Sequence, residues 1–300
     1  MQFQAVSIGS AVPQDNFNAT IQSLFDSSLN LRLEHEDRLI TILVSENYEL
    51  PQGIRVDKKI PIQSLTVGLG VASRGGILRF DSSPLTIDLR GASIWYGRLS
   101  ALTGTIDQAW SIVWQTLNEG QSQKKTELVA EYLFRSDLGP LLTRKLSHPV
   151  HKLITAAQRF DSNASAEAAH EMIGLGPGVT PSGDDILIGF LAGLHSMAGN
   201  NKERQAFIQA FGSAIFLLLK ETNDISRTYI QHAIKGEFSS SFVTLIDAIR
   251  EGEQQQLLTS TKNAMCVGHS SGMDSLTGLL IGLASWGTIS IYSDYKEMIL

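Results

Sequence analysis

Two short segments of this chain carry serine and aspartate at the same spacing, each directly after a glycine-rich turn. Residues 182–194 and 271–283 are identical at eight of thirteen positions without gaps, including Ser182/Ser271 and Asp185/Asp274. Serine followed three residues later by an acidic residue is typical of a helix start, where free backbone N–H groups can also bind an anion. Two such starts can pack as a pair. We therefore predict a site where their polar ends meet.

The chemistry that this site predicts is the handling of a small anionic substrate by backbone donors and carboxylates. Glycine lets a ligand approach backbone N–H groups closely, and we expect Asp185 and Asp274 to be catalytic, with His269 as an acid–base group. The predicted substrate-binding residues lie in the two turns: Gly176, Gly178, Thr180, Ser182, Gly183, Asp184, Gly268, Ser270, Ser271 and Gly272.

A third polar segment, 222–229, completes the predicted constellation. Asn223 or Asp224 can cap the helix that follows, and Ser226 and Arg227 then lie in its first turn. A basic residue at that position opposes the helix dipole, so Arg227 is either held by an acidic partner or an anionic ligand, or simply exposed. We include Ser226 and Arg227 among the substrate-binding residues.

Two other interpretations of the same residues stay open at this point. The serines and aspartates can serve only as helix caps, with Gly189/Gly193 and Gly278/Gly282 allowing two helices to approach closely. Alternatively, Asp184, Asp185 and Asp274 could hold Mg²⁺, the one cofactor that these motifs suggest, in an Mg²⁺-dependent enzyme that handles phosphate.

Two well-known motifs fail on their context. Residues 178–183 have the spacing of a P-loop, but Asp184 and Asp185 stand where lysine and serine or threonine are required. Residues 268–272 match the Gly-x-Ser-x-Gly of serine hydrolases, which requires an acid and then a histidine downstream, and no histidine follows His269.

Composition narrows the class of protein. The net charge of −6 and the lack of basic stretches argue against a nucleic-acid partner. A single cysteine, Cys266, excludes an internal disulfide, and we expect it to be a small core residue. The N-terminus lacks the features of a signal peptide. The apolar runs, of which 275–291 is the longest, are better explained as buried helices than as membrane spans. We expect a cytoplasmic protein.

The predicted fold class is α+β, in two domains. Residues 1–105 contain short β-branched runs at 40–44, 54–56, 65–69, 76–80 and 85–89, separated by turn residues, which favours an antiparallel sandwich or barrel. Residues 106–300 show helical periodicity, with helices expected at 106–117, 125–134, 151–160, 164–173, 184–198, 202–222, 226–235, 241–251, 254–266 and 273–287.

Over about 140–290 the chain resembles the AllH-like family. The resemblance rests on Pro177-Gly-Val-Thr-Pro-Ser-Gly-Asp-Asp185, on Gly268-His-Ser-Ser-Gly-Met-Asp274 and on the helix that carries Ser226. It implies a role in purine and allantoin catabolism as a subunit associated with oxamate carbamoyltransferase, a carbamoyl-transfer enzyme. It also implies a partner subunit similar to an acyl-CoA synthetase. A homo-oligomer and a non-catalytic scaffold subunit stay open as alternatives.

Overall fold

The computed structural model describes residues 1–56, 58–135 and 138–287, and the chain divides into two compact units. The first unit comprises Met1–Arg98 together with Glu237–Ser241, and the second comprises Leu99–Gly236 and Phe242–Leu300. The expected domain boundary at 105/106 stays a prediction, because it concerns which parts of the chain fold independently. Residues 288–300 of the expected second domain, and 288–291 of the long apolar run, lie outside the described residues.

The first unit is a closed eight-stranded barrel, with a ninth strand attached at one edge. Strands β2, β3, β4, β6 and β7 form antiparallel neighbours, β1 pairs β8 in parallel, and β1 closes the ring by antiparallel pairing with β5. The strands are β1 (Gln2–Gly9), β2 (Phe17–Leu24), β3 (Ser28–Leu33), β4 (Leu39–Val44), β5 (Gly53–Val56), β6 (Gly70–Arg74), β7 (Ile77–Phe80), β8 (Thr86–Asp88) and β9 (Ser93–Trp95).

Alternation of apolar side chains gives the sheet one face that lines the core. In β3, Leu29, Leu31 and Leu33 are buried at every second position, as expected when one face of a strand lines a core. Closure brings the interior faces of all eight strands around one core and leaves few unpaired edges. The ninth strand, β9, runs parallel to the end of β1, with Ser7 opposite Ser93.

The predicted class, a β-barrel domain followed by a mainly helical domain, is confirmed. The expectation of an antiparallel sheet is wrong in part, because β1 pairs β8 and β9 in parallel and β4 pairs β5 in parallel. The predicted strand at 65–69 is wrong, because that stretch follows a 3₁₀ turn at Ile62–Ser64 and the next strand begins only at Gly70. A short β-branched run is compatible with a buried loop as well as with a strand, and Leu65 is buried without ladder pairing.

The second unit is helical throughout its described length. Its helices are α1 (Asp107–Lys124), α2 (Leu141–Gln158), α3 (Ser162–His170), α4 (Ser182–Ala198), α5 (Lys202–Leu218), α6 (Asp224–Ile234), α7 (Ser240–Glu251), α8 (Gln254–Met265) and α9 (Ser271–Trp286), with 3₁₀ turns at Ala130–Phe134 and Leu219–Glu221. The first residues of α7 belong to the segment that returns to the barrel unit.

Most of these helices match the predicted periodic segments, with two corrections. The helix expected at 125–134 is only a 3₁₀ turn over Ala130–Phe134, because Lys125 adopts a left-handed conformation that ends α1. Helix α2 begins ten residues before the predicted His151, since it continues through Pro149, a residue that normally marks a break.

Helices α4 and α9 are the most buried helices of the unit. Nearly all of their side chains are inaccessible, as expected for helices that are apolar on every face. Among the residues that the structure describes, no helix combines the length and hydropathy that a membrane crossing requires. The expectation that Cys266 is a core residue is wrong, because it is exposed just after the end of α8.

Candidate functional site

Helices α4 and α9 lie side by side and run parallel, so their N-terminal ends are neighbours. Gly189 packs on the backbone of Ser275, and Gly193 packs on that of Leu279; in return, Gly278 packs on Ile186. Residue numbers rise together along both helices, which defines the parallel direction. Equivalent positions of the two similar segments therefore make reciprocal contacts.

Glycine is required at these positions by close approach of the two backbones. A Cβ atom on Gly189 would overlap the carbonyl oxygen of Ser275, and one on Gly278 would overlap that of Ile186. Backbone carbonyls cannot move aside as a flexible side chain can. Contact at this distance holds the two helix starts at a fixed separation.

The serines at the helix starts reach across to the opposite helix. Ser182 donates from its hydroxyl to Oδ2 of Asp274 at 2.7 Å, and the hydroxyls of Thr180 and Ser271 are 2.5 Å apart. Neither helix start has a side-chain cap, so the predicted capping by Ser182 and Ser271 is wrong. Carbonyl groups of the preceding turns take that role: Gly183 donates to Leu175, and Gly272 donates to Val267.

The two carboxyl groups of Asp185 and Asp274 are adjacent and almost completely buried, with 4% and 1% of their surface exposed. Burial, together with the charge of Asp274, raises the pKa of Asp185 well above its ordinary value, although hydrogen bonds from Thr180 and Ser271 oppose the shift. Burial raises the pKa of Asp274 to about 6, against hydrogen bonds from Ser182 and Ser270.

Each of these carboxyl groups keeps one oxygen without a partner. Within the described residues, Oδ2 of Asp185 and Oδ1 of Asp274 accept no hydrogen bond. A buried polar atom without a partner costs free energy, and in native structures it calls for a specific explanation such as catalysis or a bound group. The two open oxygens are the strongest indication of a ligand in this unit.

Asp184, the immediate neighbour of Asp185, has a different environment. Its Oδ1 accepts from the backbone N–H of Gly174 at 2.8 Å, and its Oδ2 accepts from the hydroxyl of Thr222 at 2.5 Å. Burial raises the pKa of Asp184, while these bonds and Ser226 lower it. Through these two hydrogen bonds, Asp184 connects α4 to the start of the first turn and to the start of α6.

The third predicted segment does reach the first turn. Asn223 caps α6 by accepting from Ile225 and Ser226, and its amide donates to the carbonyl oxygen of Val179 at 2.9 Å. Ser226 is fully buried in the first turn of α6. Sequence reasoning did not single out Thr222 for the site, because a threonine before a helix cap is common and its partner lies 38 residues away.

Arg227 is held by the protein itself. Its guanidinium donates to the carbonyl oxygens of Leu219 and Thr222 at 3.1 and 3.3 Å, and it forms an ion pair with Asp224 at 3.5 Å. Of the three alternatives considered for Arg227, the structure shows the acidic partner, Asp224. A direct role in substrate binding stays a prediction.

The remaining predicted residues lie in the turns. Gly176, Gly178 and Gly268 adopt positive φ values of 127°, 95° and 63°, a region that favours glycine. Ser270 is the N-cap residue of α9, although its side chain makes no capping bond. His269 is exposed beside it.

The surroundings of the two turns contradict the P-loop and nucleophile-elbow motifs. Both motifs place the turn after a β-strand, whereas α3 precedes the first turn and α8 precedes the second. The Mg²⁺ alternative stays a prediction: among the described residues no three His, Cys, Asp or Glu side chains converge, and both oxygens of Asp184 are already bonded. No step is assigned to a metal.

The fold and the site thus define a two-unit protein with a buried carboxyl pair at two parallel helix starts. A family model described as oxamate carbamoyltransferase subunit AllH matches residues 172–283, and one described as the AllH family N-terminal domain matches residues 4–94. The chain belongs to the AllH family. The description of this family as a subunit implies a protein partner. No solved structure matches the chain.

Proposed function

We propose that this chain is the subunit of a carbamoyl-transfer enzyme in which the starts of α4 and α9 bind the substrate. The observation that carries the proposal is the Asp185–Asp274 pair, in which each buried carboxyl group keeps one oxygen open. The family's description, oxamate carbamoyltransferase subunit, supplies the reaction class. The predicted association with allantoin and purine catabolism, and an acyl-CoA-synthetase-like partner, belong to the same proposal.

Carbamoyl transfer needs groups of the kind that this site holds. The attacking nitrogen gives up a proton, and the carbonyl oxygen of the carbamoyl group gains negative charge while the phosphate or oxygen leaving group departs. The transfer therefore requires a base at the attacking nitrogen, beside a donor that holds the group carrying this nitrogen. At neutral pH, Asp274, with its pKa of about 6, serves as the base. Burial and the charge of Asp274 raise the pKa of Asp185 well above its ordinary value, so we assign the proton of the pair to Asp185, which serves as the donor.

The first glycine-rich turn suits the anionic part of the substrate. Among the described residues, the backbone N–H groups of Gly178, Val179 and Thr180 donate to no other group of the protein. Successive free N–H groups beside a helix start favour negative charge. If the anionic group of the substrate binds to this turn, the neutral part of the substrate lies against the carboxyl pair.

The test is turnover of oxamate and carbamoyl phosphate by the chain assembled with its partner subunits. We expect Asp185→Asn and Asp274→Asn each to lower kcat/KM by about 100-fold or more, as is typical when an acid–base group is removed. Asp161→Asn is the matched control, because asparagine keeps the cap of α3 that Asp161 provides. Wild-type turnover in both site variants would exclude the proposed site.

A scaffold subunit is the second candidate, and the reciprocal glycine contacts favour it. They explain Gly189, Gly193, Gly278 and Gly282 by helix packing alone. Under this alternative, the two aspartate variants weaken the assembly of the complex in proportion to any loss of turnover. Measuring complex formation by size-exclusion chromatography alongside kcat/KM separates the candidates.

A further inference from the structure

We infer that the Asp185–Asp274 pair recognises an uncharged primary amide group of the substrate, with Asp185 donating to its oxygen and Asp274 accepting from its nitrogen. This inference rests on the proposed function and assigns a chemical class to the group that the pair contacts. It goes further by naming the group that the two aspartates contact and by excluding a second carboxylate from this position.

The first step of the argument is geometric. Oδ2 of Asp274 is occupied by the hydroxyl of Ser182 at 2.7 Å, which leaves only Oδ1 available. On Asp185 the available atom is Oδ2. Both residues are at most 4% exposed, so water is largely excluded and a bound group must satisfy both oxygens.

The second step concerns charge. Two adjacent buried carboxyl groups resist being ionised together, because each negative charge disfavours the other. The charge of Asp274 contributes to the raised pKa of Asp185, while Ser182 and Ser270 favour the ionised form of Asp274. The proton therefore resides on Asp185, and the pair carries one negative charge.

The third step concerns the group that such a pair accepts. Asp274 offers only an acceptor oxygen, and protonated Asp185 offers a donor. A primary amide presents an N–H to the first and a carbonyl oxygen to the second. A carboxylate or phosphate has acceptors only, so it would place a negative oxygen against Asp274 and leave that oxygen unpaired.

Oxamate and oxalate provide a matched pair of probes, because they differ only in an amide against a carboxylate. Binding to the full chain, assembled with its partner subunits, is measured by calorimetry at pH 7.5. We expect oxamate to bind at least about 30-fold more tightly than oxalate, in the range expected when a buried polar group is left unpaired. This comparison uses the wild-type protein and does not depend on the folding of any variant.

The two aspartates are then distinguished by isosteric variants. Asp185→Asn keeps a neutral donor at this position, so the preference for oxamate should stay within about threefold of wild type even though turnover falls. Asp274→Asn removes the negative charge, so oxalate binding should strengthen by at least about tenfold while oxamate binding weakens.

Equal binding of oxalate and oxamate, no binding of either, or equal effects of the two variants would each overturn the inference. These outcomes are distinct from failure of the proposed function. If both variants lose turnover while oxalate binds as tightly as oxamate, the site stands and the amide assignment fails. If both variants keep turnover, the proposed function fails as well.

Discussion

At the scale of single residues, Asp184 and Asp185 show how neighbours in sequence acquire different roles. Successive residues of a helix point about 100° apart. Asp184 is thereby directed to Gly174 and Thr222, which occupy both of its oxygens, whereas Asp185 is directed to the second helix start. The sequence predicts that polar residues gather here, but the roles of two adjacent aspartates depend on partners far along the chain.

The buried Asp274 predicts a pH dependence of stability. Its pKa rises from the ordinary 3.8 to about 6, so the folded state binds the proton more tightly than the unfolded state does. This contribution to stability is complete below about pH 4 and is lost as the pH rises through 6. It amounts to about 2–3 kcal/mol between pH 4 and pH 7.

The measurement is the free energy of unfolding in urea at several pH values, for the wild type and for Asp274→Asn. Asparagine cannot ionise. The free energy of unfolding of the variant should therefore not show the decrease of about 2–3 kcal/mol between pH 4 and pH 7 that Asp274 causes in the wild type. Identical slopes for both proteins would mean that Asp274 does not titrate in this range.

At the scale of helices, the close approach of α4 and α9 was predictable from glycine spacing, and the use of the serines was not. A serine at a helix start normally accepts from the backbone. Here Leu175 and Val267 accept from Gly183 and Gly272 through their carbonyl oxygens. That leaves the Ser182 hydroxyl free to donate to Asp274 across the helix pair. This hydrogen bond depends on how the two helices pack together, so the sequence of either helix alone does not predict it.

Replacing one of the interface glycines by alanine should destabilise the helix pair. In Gly189→Ala or Gly278→Ala, the new methyl group would overlap a carbonyl oxygen of the opposite helix, and the two helices would have to separate. We expect a loss of about 3 kcal/mol or more in the free energy of unfolding, at the upper end of overpacking effects.

Gly120→Ala is the matched control for this experiment. Gly120 lies inside α1, and a Cβ there meets the flexible ends of the Met265 and Met273 side chains rather than backbone atoms. Alanine should be near neutral at this position. Its helix propensity exceeds that of glycine by about 1 kcal/mol, and this gain offsets the cost of moving the flexible side-chain ends. Similar losses in all three variants would show that helical glycines are generally sensitive in this protein, and that the α4–α9 contact is not special.

At the scale of the whole molecule, the class of fold followed from local patterns, whereas its closure did not. Short runs of β-branched or aromatic residues in β4, β7 and β8 were sufficient to predict strands. Parallel pairing of β1 with β8 joins Gln2 to Thr86, and antiparallel pairing joins Ile8 to Ile54. Pairing over such distances leaves no periodic signal in the sequence.

The sequence likewise does not predict that Glu237–Ser241 belongs to the barrel unit. Phe238 donates from its backbone to Gly97, and Ser240 donates from its backbone to Glu49. This short segment lies between two helices of the other unit, so composition assigns it to the helical domain. Residue contacts, rather than chain position, determine which unit it stabilises.

Ligand binding to a chain of two units should stabilise only the unit that holds the site. Oxamate at about a hundredfold excess over its Kd should raise the free energy of unfolding of the helical unit by about 2.7 kcal/mol. For a domain of about 150–250 residues this corresponds to a rise in Tm of about 5–10 °C. A transition belonging to the barrel unit should not move.

The same thermal melts separate the three functional alternatives when oxamate, carbamoyl phosphate and Mg²⁺ are added singly and in pairs. We expect Mg²⁺ alone to leave Tm unchanged, because among the described residues no three potential metal-ligand side chains converge. The oxamate shift should shrink in Asp274→Asn, since that variant replaces the charged acceptor for the substrate by a neutral amide. A shift caused by Mg²⁺ alone would restore the metal-dependent alternative. No shift with any addition, in the presence of the partner subunits, would favour a scaffold whose buried carboxyl pair serves only the fold.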